Sequence, residues 1–211
     1  MVYGRGTAPY MAGSSVLRMC DISALIQQWQ SGDERASEAL YSRYREPIFR
    51  LAYGLLGNAA DAEEVAQDAL AYALNRISQY DATRSSFSTW LHTITVSRCR
   101  DRQRRRRLPW LSLTAWLQQG GDARDPAPNP EAQAIQLETR SQVWNAIQAL
   151  SPPLREAILL RYWAEHTFQE IAAITGCPVP TAQSRVRLAF QQLRAAIAPT
   201  ALADLGEEQV R

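Results

Sequence analysis

Seven of the ten residues from 98 to 107, RCRDRQRRRR, are arginine. No apolar core accepts such a run, so it must end an element at the surface and face either water or a polyanion. Just upstream, Phe87, Trp90, Leu91 and Ile94 recur at helical spacing, and Ser85 or Ser86 is placed to cap that helix. The pattern predicts one helix through Arg107, about 22 residues at roughly 1.5 Å each and so about 33 Å long. Its first half has an apolar face to bury. Its second half has almost none, so the arginines should repel one another and fray that end unless a polyanion is present.

The charge is unevenly spread. The formal net charge is only +2. Residues 21–97 hold six Arg against ten Asp and Glu, a balance of −4, whereas 98–107 hold seven Arg against Asp101, a balance of +6. An acidic body with a basic tip suits one protein partner and one polyanion. All 23 basic residues are arginine, which pairs bidentately with phosphate and guanine and stays charged when half-buried.

Cys20, Cys99 and Cys177 form no CxxC pair, which argues for a reducing compartment and against a disulfide framework. No stretch is long and apolar enough for a membrane span, so no membrane insertion is expected, and residues 1–20 lack the apolar centre of a signal peptide.

The remaining pattern is helical nearly throughout. Ile22, Leu25, Ile26 and Trp29 mark a helix that Asp21 could cap. Ala36, Leu40, Tyr44, Ile48, Leu51 and Leu55 form one stripe over 34–56, with Pro47 expected to kink the helix or restart it. Asp61 opens the next helix with Glu64 in capping-box register, and Val65, Leu70, Ala73, Leu74 and Ile77 supply its buried face. Residues 108–131 hold Pro109, Gly120, Gly121, Pro126, Pro128 and Pro130, which breaks the pattern; within them WLSLTAWLQ (110–118) is an apolar patch. Helices are then expected over 132–149, burying Ile135, Leu137, Val143, Trp144 and Ile147, and over 154–164, with Ile158, Leu159 and Tyr162 inward. Further helices follow over 168–174, capped by Thr167 with Glu170, and over 180–197.

The fold class is therefore all-α, with two small helical domains joined by a flexible linker. The expected division is a disordered extension (1–20), a first domain (21–107), a linker (108–131), a second domain (132–198) and a frayed acidic tail (199–211).

The second domain carries the strongest local signature. Two helices joined by a short turn at Gly176 form a helix-turn-helix pattern, with small Ala172 and Ala173 for the helix crossing and Ile171, Ile174, Val186 and Leu193 for the shared core. The start of its second helix would enter the major groove, and it presents Thr181, Gln183, Ser184, Arg185 and Arg187. Glutamine can read adenine and arginine guanine, each pair worth about 1–3 kcal/mol of discrimination.

Taken in order, DAEEVAQDALAYALNRI (61–77), YDATRSSFSTWLHTI (80–94), the arginine run, SPPLREAILLRYWAE (151–165) and TFQEIAAITGCPVPTAQSR (167–185) closely resemble bacterial sigma factors of the extracytoplasmic-function group. The resemblance spans about residues 22–198. It implies a sigma-2 domain, a linker and a sigma-4 domain that direct core RNA polymerase to promoter DNA. Asp61, Glu64, Gln67 and Asp68 then fall on the core-polymerase contact helix. Arg84, Arg98, Arg102 and Arg105 fall on the minus-10 region, where a base is unstacked into a pocket. Thr181, Gln183, Ser184, Arg185 and Arg187 fall on the minus-35 reading helix. The group is commonly restrained by an anti-sigma protein between the domains.

Some positions depart from the family pattern: Val96 where arginine is common, Ser97 where asparagine is usual, Pro180 for glycine, Gln183 for a basic residue, and Leu188 for arginine. Promoter preference therefore cannot be transferred from relatives.

Two rival readings exist. A regulator using only its helix-turn-helix would bind duplex DNA by itself. An enzyme acting on nucleic acid would need a site, but His92 and His166 fall in different domains, and no metal-ligand cluster or phosphate loop is present. No catalytic residue, metal or cofactor is expected.

Overall fold

The computed structural model describes residues 15–106 and 141–197. The expected linker 108–131 with Trp110 and Trp116, the core positions Ile135 and Leu137, and the tail 199–211 lie outside the described residues.

Eight α-helices are described: α1 (Ser15–Gln30), α2 (Glu34–Leu56), α3 (Ala59–Asn75), α4 (Phe87–Arg106), α5 (141–149), α6 (Pro152–Tyr162), α7 (Phe168–Thr175) and α8 (Val179–Ala196). A single 3-10 turn, Ile77–Gln79, follows α3. The helix expected to begin at Asp21 begins at Ser15, so residues 15–20 of the expected extension are helical and Asp21 is not its cap. Pro47 sits inside α2, which runs unbroken through it.

The first four helices pack because their stripes match. All six residues expected along 34–56 are buried on α2, and Val65, Leu70 and Ala73 are buried on α3. Trp29 Nε1 donates to Leu74 O at 2.9 Å and Gln30 to Ile77 O at 3.1 Å, which ties α1 to the end of α3. Tyr80, Phe87 and Trp90 form an aromatic cluster with centroids 5.4–5.8 Å apart. Phe87 is core, whereas Trp90 is half-buried.

Helix starts and stops follow local chemistry. Asp33 caps α2, and Gly57, at φ 69°, ends it with its N–H on Tyr53 O. The cap of α3 is Asn58, not Asp61: its Oδ1 accepts from Asp61 N at 2.9 Å, which places Asp61 one turn into the helix. Ser86 Oγ accepts from Thr89 N at the start of α4. Thr167 and Glu170 form the expected capping box on α7.

The two halves do not stand apart. One apolar cluster joins Leu51, Ala52 and Leu55 of α2, Ala62 and Val65 of α3, and Val96 and Cys99 of α4 to Ala157–Leu160 of α6, Ile171 and Ile174 of α7, and Val186 and Ala189 of α8. Gly54 explains how closely α2 and α6 approach, since a Cβ there would stand 2.8 Å from Leu159 Cδ1. Arg155 closes two helix ends at once. It donates to Leu55 O of α2 at 3.0 Å and to Ile147, Gln148 and Leu150 carbonyls at the end of α5.

Candidate nucleic-acid interface

Ala172, Ile171 and Ile174 of α7 and Ala182, Val186 and Ala189 of α8 fill the crossing of the helix-turn-helix. Ala173, expected at that crossing, is exposed, so Ala172 alone of the pair supplies the small contact. Between the helices Gly176 takes φ 70°, a left-handed conformation with nothing near its missing Cβ. Tyr162, expected inward, is 48% exposed and stacks beside Phe190 at 6.4 Å between centroids.

The residues of α8 expected to read DNA are only partly exposed. Gln183 and Arg187 are exposed, while Thr181, Ser184 and Arg185 are half-buried. Pro178 caps the helix and Pro180 lies in its first turn, where a missing N–H costs nothing.

On α4 the arginine run is not a free spike. Arg102 donates to Asp61 Oδ1 at 2.7 and 3.0 Å and to Glu64 at 2.9 Å, and Arg106 meets the other oxygen of Asp61. Arg98 lies 3.7 Å from Asp68 and, with Arg76, covers the face of Tyr72 at 5.0 Å. The helix end is therefore held by attraction to α3, which replaces the fraying expected from repulsion. Thr95, Val96 and Cys99 are also buried, so the apolar face extends further along α4 than its first half suggests.

This arrangement changes the standing of Asp61. It is 4% exposed and turned toward α4, whereas Glu64, Gln67 and Asp68, expected beside it on the same contact surface, are exposed. Gln67 donates to Glu63 at 2.9 Å on the same open face. Arg84 and Arg105 are exposed. Neither side chain has a hydrogen-bond or ion-pair partner among the described residues.

Three juxtapositions join residues remote in sequence, so residue spacing could not reveal them. Arg100 clamps Glu156 of α6 bidentately at 2.8 and 2.6 Å and reaches Thr175 O at 3.2 Å. Arg104 and Arg185 line one cleft of about 680 Å³ together with Arg100, Gln103, Glu156 and Thr175. His92 and His166, assigned to separate domains, meet with Nδ1 and Nε2 2.6 Å apart. Charge complementarity at 100/156 is a signal only once the pairing of α4 with α6 is known.

No group of three or more His, Cys, Asp or Glu among the described residues is placed to hold a metal ion. No helix among them is long and apolar enough to cross a membrane.

Helices throughout the described residues, with a cationic helix in the first half and a helix-turn-helix in the second, define a two-part DNA-binding protein. Comparison with known proteins makes the class specific. Residues 40–108 match the family Sigma-70 region 2, and residues 140–193 match Sigma-70, region 4. The chain is 30% identical over 180 residues to the RNA polymerase sigma-H factor of Pseudomonas aeruginosa, covering 83% of this chain and 93% of that one. It is also 30% identical over 182 residues to the ECF RNA polymerase sigma factor SigW of Bacillus subtilis, covering 82% and 95%. The fold matches the sigma factor RpoE of Bartonella quintana, solved with the anti-sigma factor NepR, at a TM-score of 0.60 and 24% identity over 75% of this chain and 94% of that one.

The chain belongs to the extracytoplasmic-function sigma factors of RNA polymerase. It is a promoter-recognition subunit that acts in transcription initiation.

Proposed function

We propose that the two halves divide the promoter between them. Helix α8 reads the minus-35 element in the major groove through Gln183, Arg187 and the half-buried Thr181, Ser184 and Arg185. Helix α4 and the loop before it engage the minus-10 element. There Arg84, Arg98 and Arg105 track backbone phosphates while a base leaves the stack, and Arg102 is available once its pairing with α3 relaxes. The exposed carboxylates of α3, Glu64 and Asp68, with Gln67, dock on basic residues of core polymerase.

The observation that carries this reading is the first half of α8, where Gln183 and Arg187 are exposed, joined to α7 through the left-handed turn at Gly176. The domain division at 108–131 follows from the same assignment. The protein has no catalysis of its own; it works beside polymerase in the bacterial cytoplasm, and an anti-sigma factor is a candidate restraint.

Transcription in vitro with purified core, followed by start-site mapping, tests the proposal. New start sites are expected only when this protein is added, and promoter duplex should be retained in a gel shift with core but not by the protein alone. Tight duplex binding without core, and no new start site, would establish the rival regulator instead. Within the assay, Gln183→Ala or Arg187→Ala should alter preference at single minus-35 positions by about 1–3 kcal/mol each. Equal loss on every sequence would show that these side chains touch backbone only.

A further inference from the structure

The described arrangement is a closed one. Arg104 of α4 and Arg185 of α8 line the same cleft. Two DNA boxes a helical turn or more apart are separated by about 34 Å or more along the duplex. Helices that share one small cleft cannot read both boxes at once, so the seam between the halves has to open before the promoter is engaged.

The seam has an unusual catch. The chain contains two histidines, His92 on α4 and His166 in the turn between α6 and α7, and they face each other across it. Both are buried, at 5% and 4% exposure. Their rings stand edge to face, 88° apart. Glu170 of α7 lies 3.5 Å from His166 Nδ1 and also accepts from Thr89 Oγ1 of α4 at 3.0 Å. A carboxylate at Nδ1 favours a proton on that nitrogen. His166 Nε2 is then a lone pair, and it accepts from His92 Nδ1–H. A second proton on His166 would set two N–H groups against each other 2.6 Å apart.

We propose that this histidine pair is a proton-sensitive latch: it holds the two halves closed while both rings are neutral and releases them when either ring is protonated. The latch regulates the promoter-reading surfaces and so rests on the sigma-factor assignment for its consequence, though not for its physics.

Charge around the pair is sparse. Arg161 of α6 donates to His166 O at 3.1 Å. The carboxylates of α3, Asp61, Glu64 and Asp68, are engaged further along α4 by Arg102, Arg106 and Arg98. On α2, Glu46 pairs with Arg50 and Arg45 with Glu63 of α3. Glu170 is thus the one anion that couples to the pair among the described residues.

Burial pushes His92 down to about 3, with the neighbouring ring adding to the shift and Glu170 opposing it. Burial also lowers His166, against the pull of Glu170. The sign follows. At neutral pH both the closed and the open form hold neutral rings, so closure is undiminished. As pH falls through the ordinary imidazole value, open molecules bind protons that closed molecules exclude, and closure weakens. Between pH 7.5 and 5.5 the closed-to-open ratio should fall about tenfold for each excluded proton.

Two histidines give two imidazole signal sets, which makes nitrogen-detected NMR of the whole chain direct. At pH 7.5 both rings should be neutral with the proton on Nδ1. Lowering the pH to 5 should protonate them together with a rise in the radius of gyration by X-ray scattering, while far-UV circular dichroism stays constant. The H92Q/H166Q double variant keeps hydrogen-bonding groups but does not titrate, so its dimensions should not change over that range. The latch is overturned if wild-type dimensions stay constant to pH 5, or if either ring titrates near 6.5 without expansion. Should the double variant misfold, the two wild-type readouts still decide. Core-polymerase pull-down at pH 7.5 is scored separately: expansion without core binding would sink the sigma assignment and leave the latch standing.

Discussion

Asp61 carries the same negative charge as Glu64 and Asp68 one and two turns along α3, yet burial gives it a different task. Its carboxylate accepts from Arg102 and faces Arg106, so it holds α4 against α3. Removing it leaves two guanidinium groups without their buried anion. Asp61→Ala should lower unfolding free energy by about 1–3 kcal/mol, because a buried charge-assisted contact is lost and its partners are left behind. Asp68→Arg, by contrast, alters an exposed side chain and should change stability by about 0.5 kcal/mol or less while abolishing co-purification with core. Urea titration of both variants checks the contrast. Equal stability loss in the two would refute the division between a structural and a docking carboxylate. The spacing of acids along α3 was legible in the sequence. Which of them α4 covers was not, because that depends on how the two helices cross.

At the scale of elements, local chemistry set the boundaries well. The buried stripe of α2, the Thr167–Glu170 box and the left-handed Gly176 all follow from residue type and spacing. Gly176 permits a clean test, since a side chain there meets no neighbour and only the backbone conformation is strained. Gly176→Ala should destabilise the second half by about 1 kcal/mol, and Gly176→Asn should recover most of that loss because asparagine tolerates the left-handed region. Thermal unfolding compares them; an alanine variant as stable as wild type would remove the argument for strain. A competing side chain shifts one boundary: Asn58 takes the cap from Asp61. Along the arginine run, carboxylates on the neighbouring helix counter the like-charge repulsion that residue type alone implies.

For the whole molecule, the shared apolar cluster makes closure a property of both halves. Gly54 is a point of close approach in that contact, and Leu159 opposite is itself 3% exposed with little room to yield. Gly54→Leu should leave α2 helical but oppose closure by about 1–3 kcal/mol, the usual cost of overpacking a filled site. The expected outcome is a larger radius of gyration at pH 7.5 with unchanged helix content. Unchanged dimensions would mean that the seam adapts and that Gly54 does not control it.

The sequence by itself determined the helical class, the periodic core faces, most of the caps and turns, and membership of the sigma factors, because these are set by residues near one another along the chain. The tertiary structure decided that Asp61 is internal, that Arg100 meets Glu156, that α4 and α8 share a cleft, and that His92 meets His166. Periodicity tells which side of a helix avoids water. It carries no information about which distant polar group will cover the opposite side, since that is fixed only by the angle and depth at which two packed helices come together.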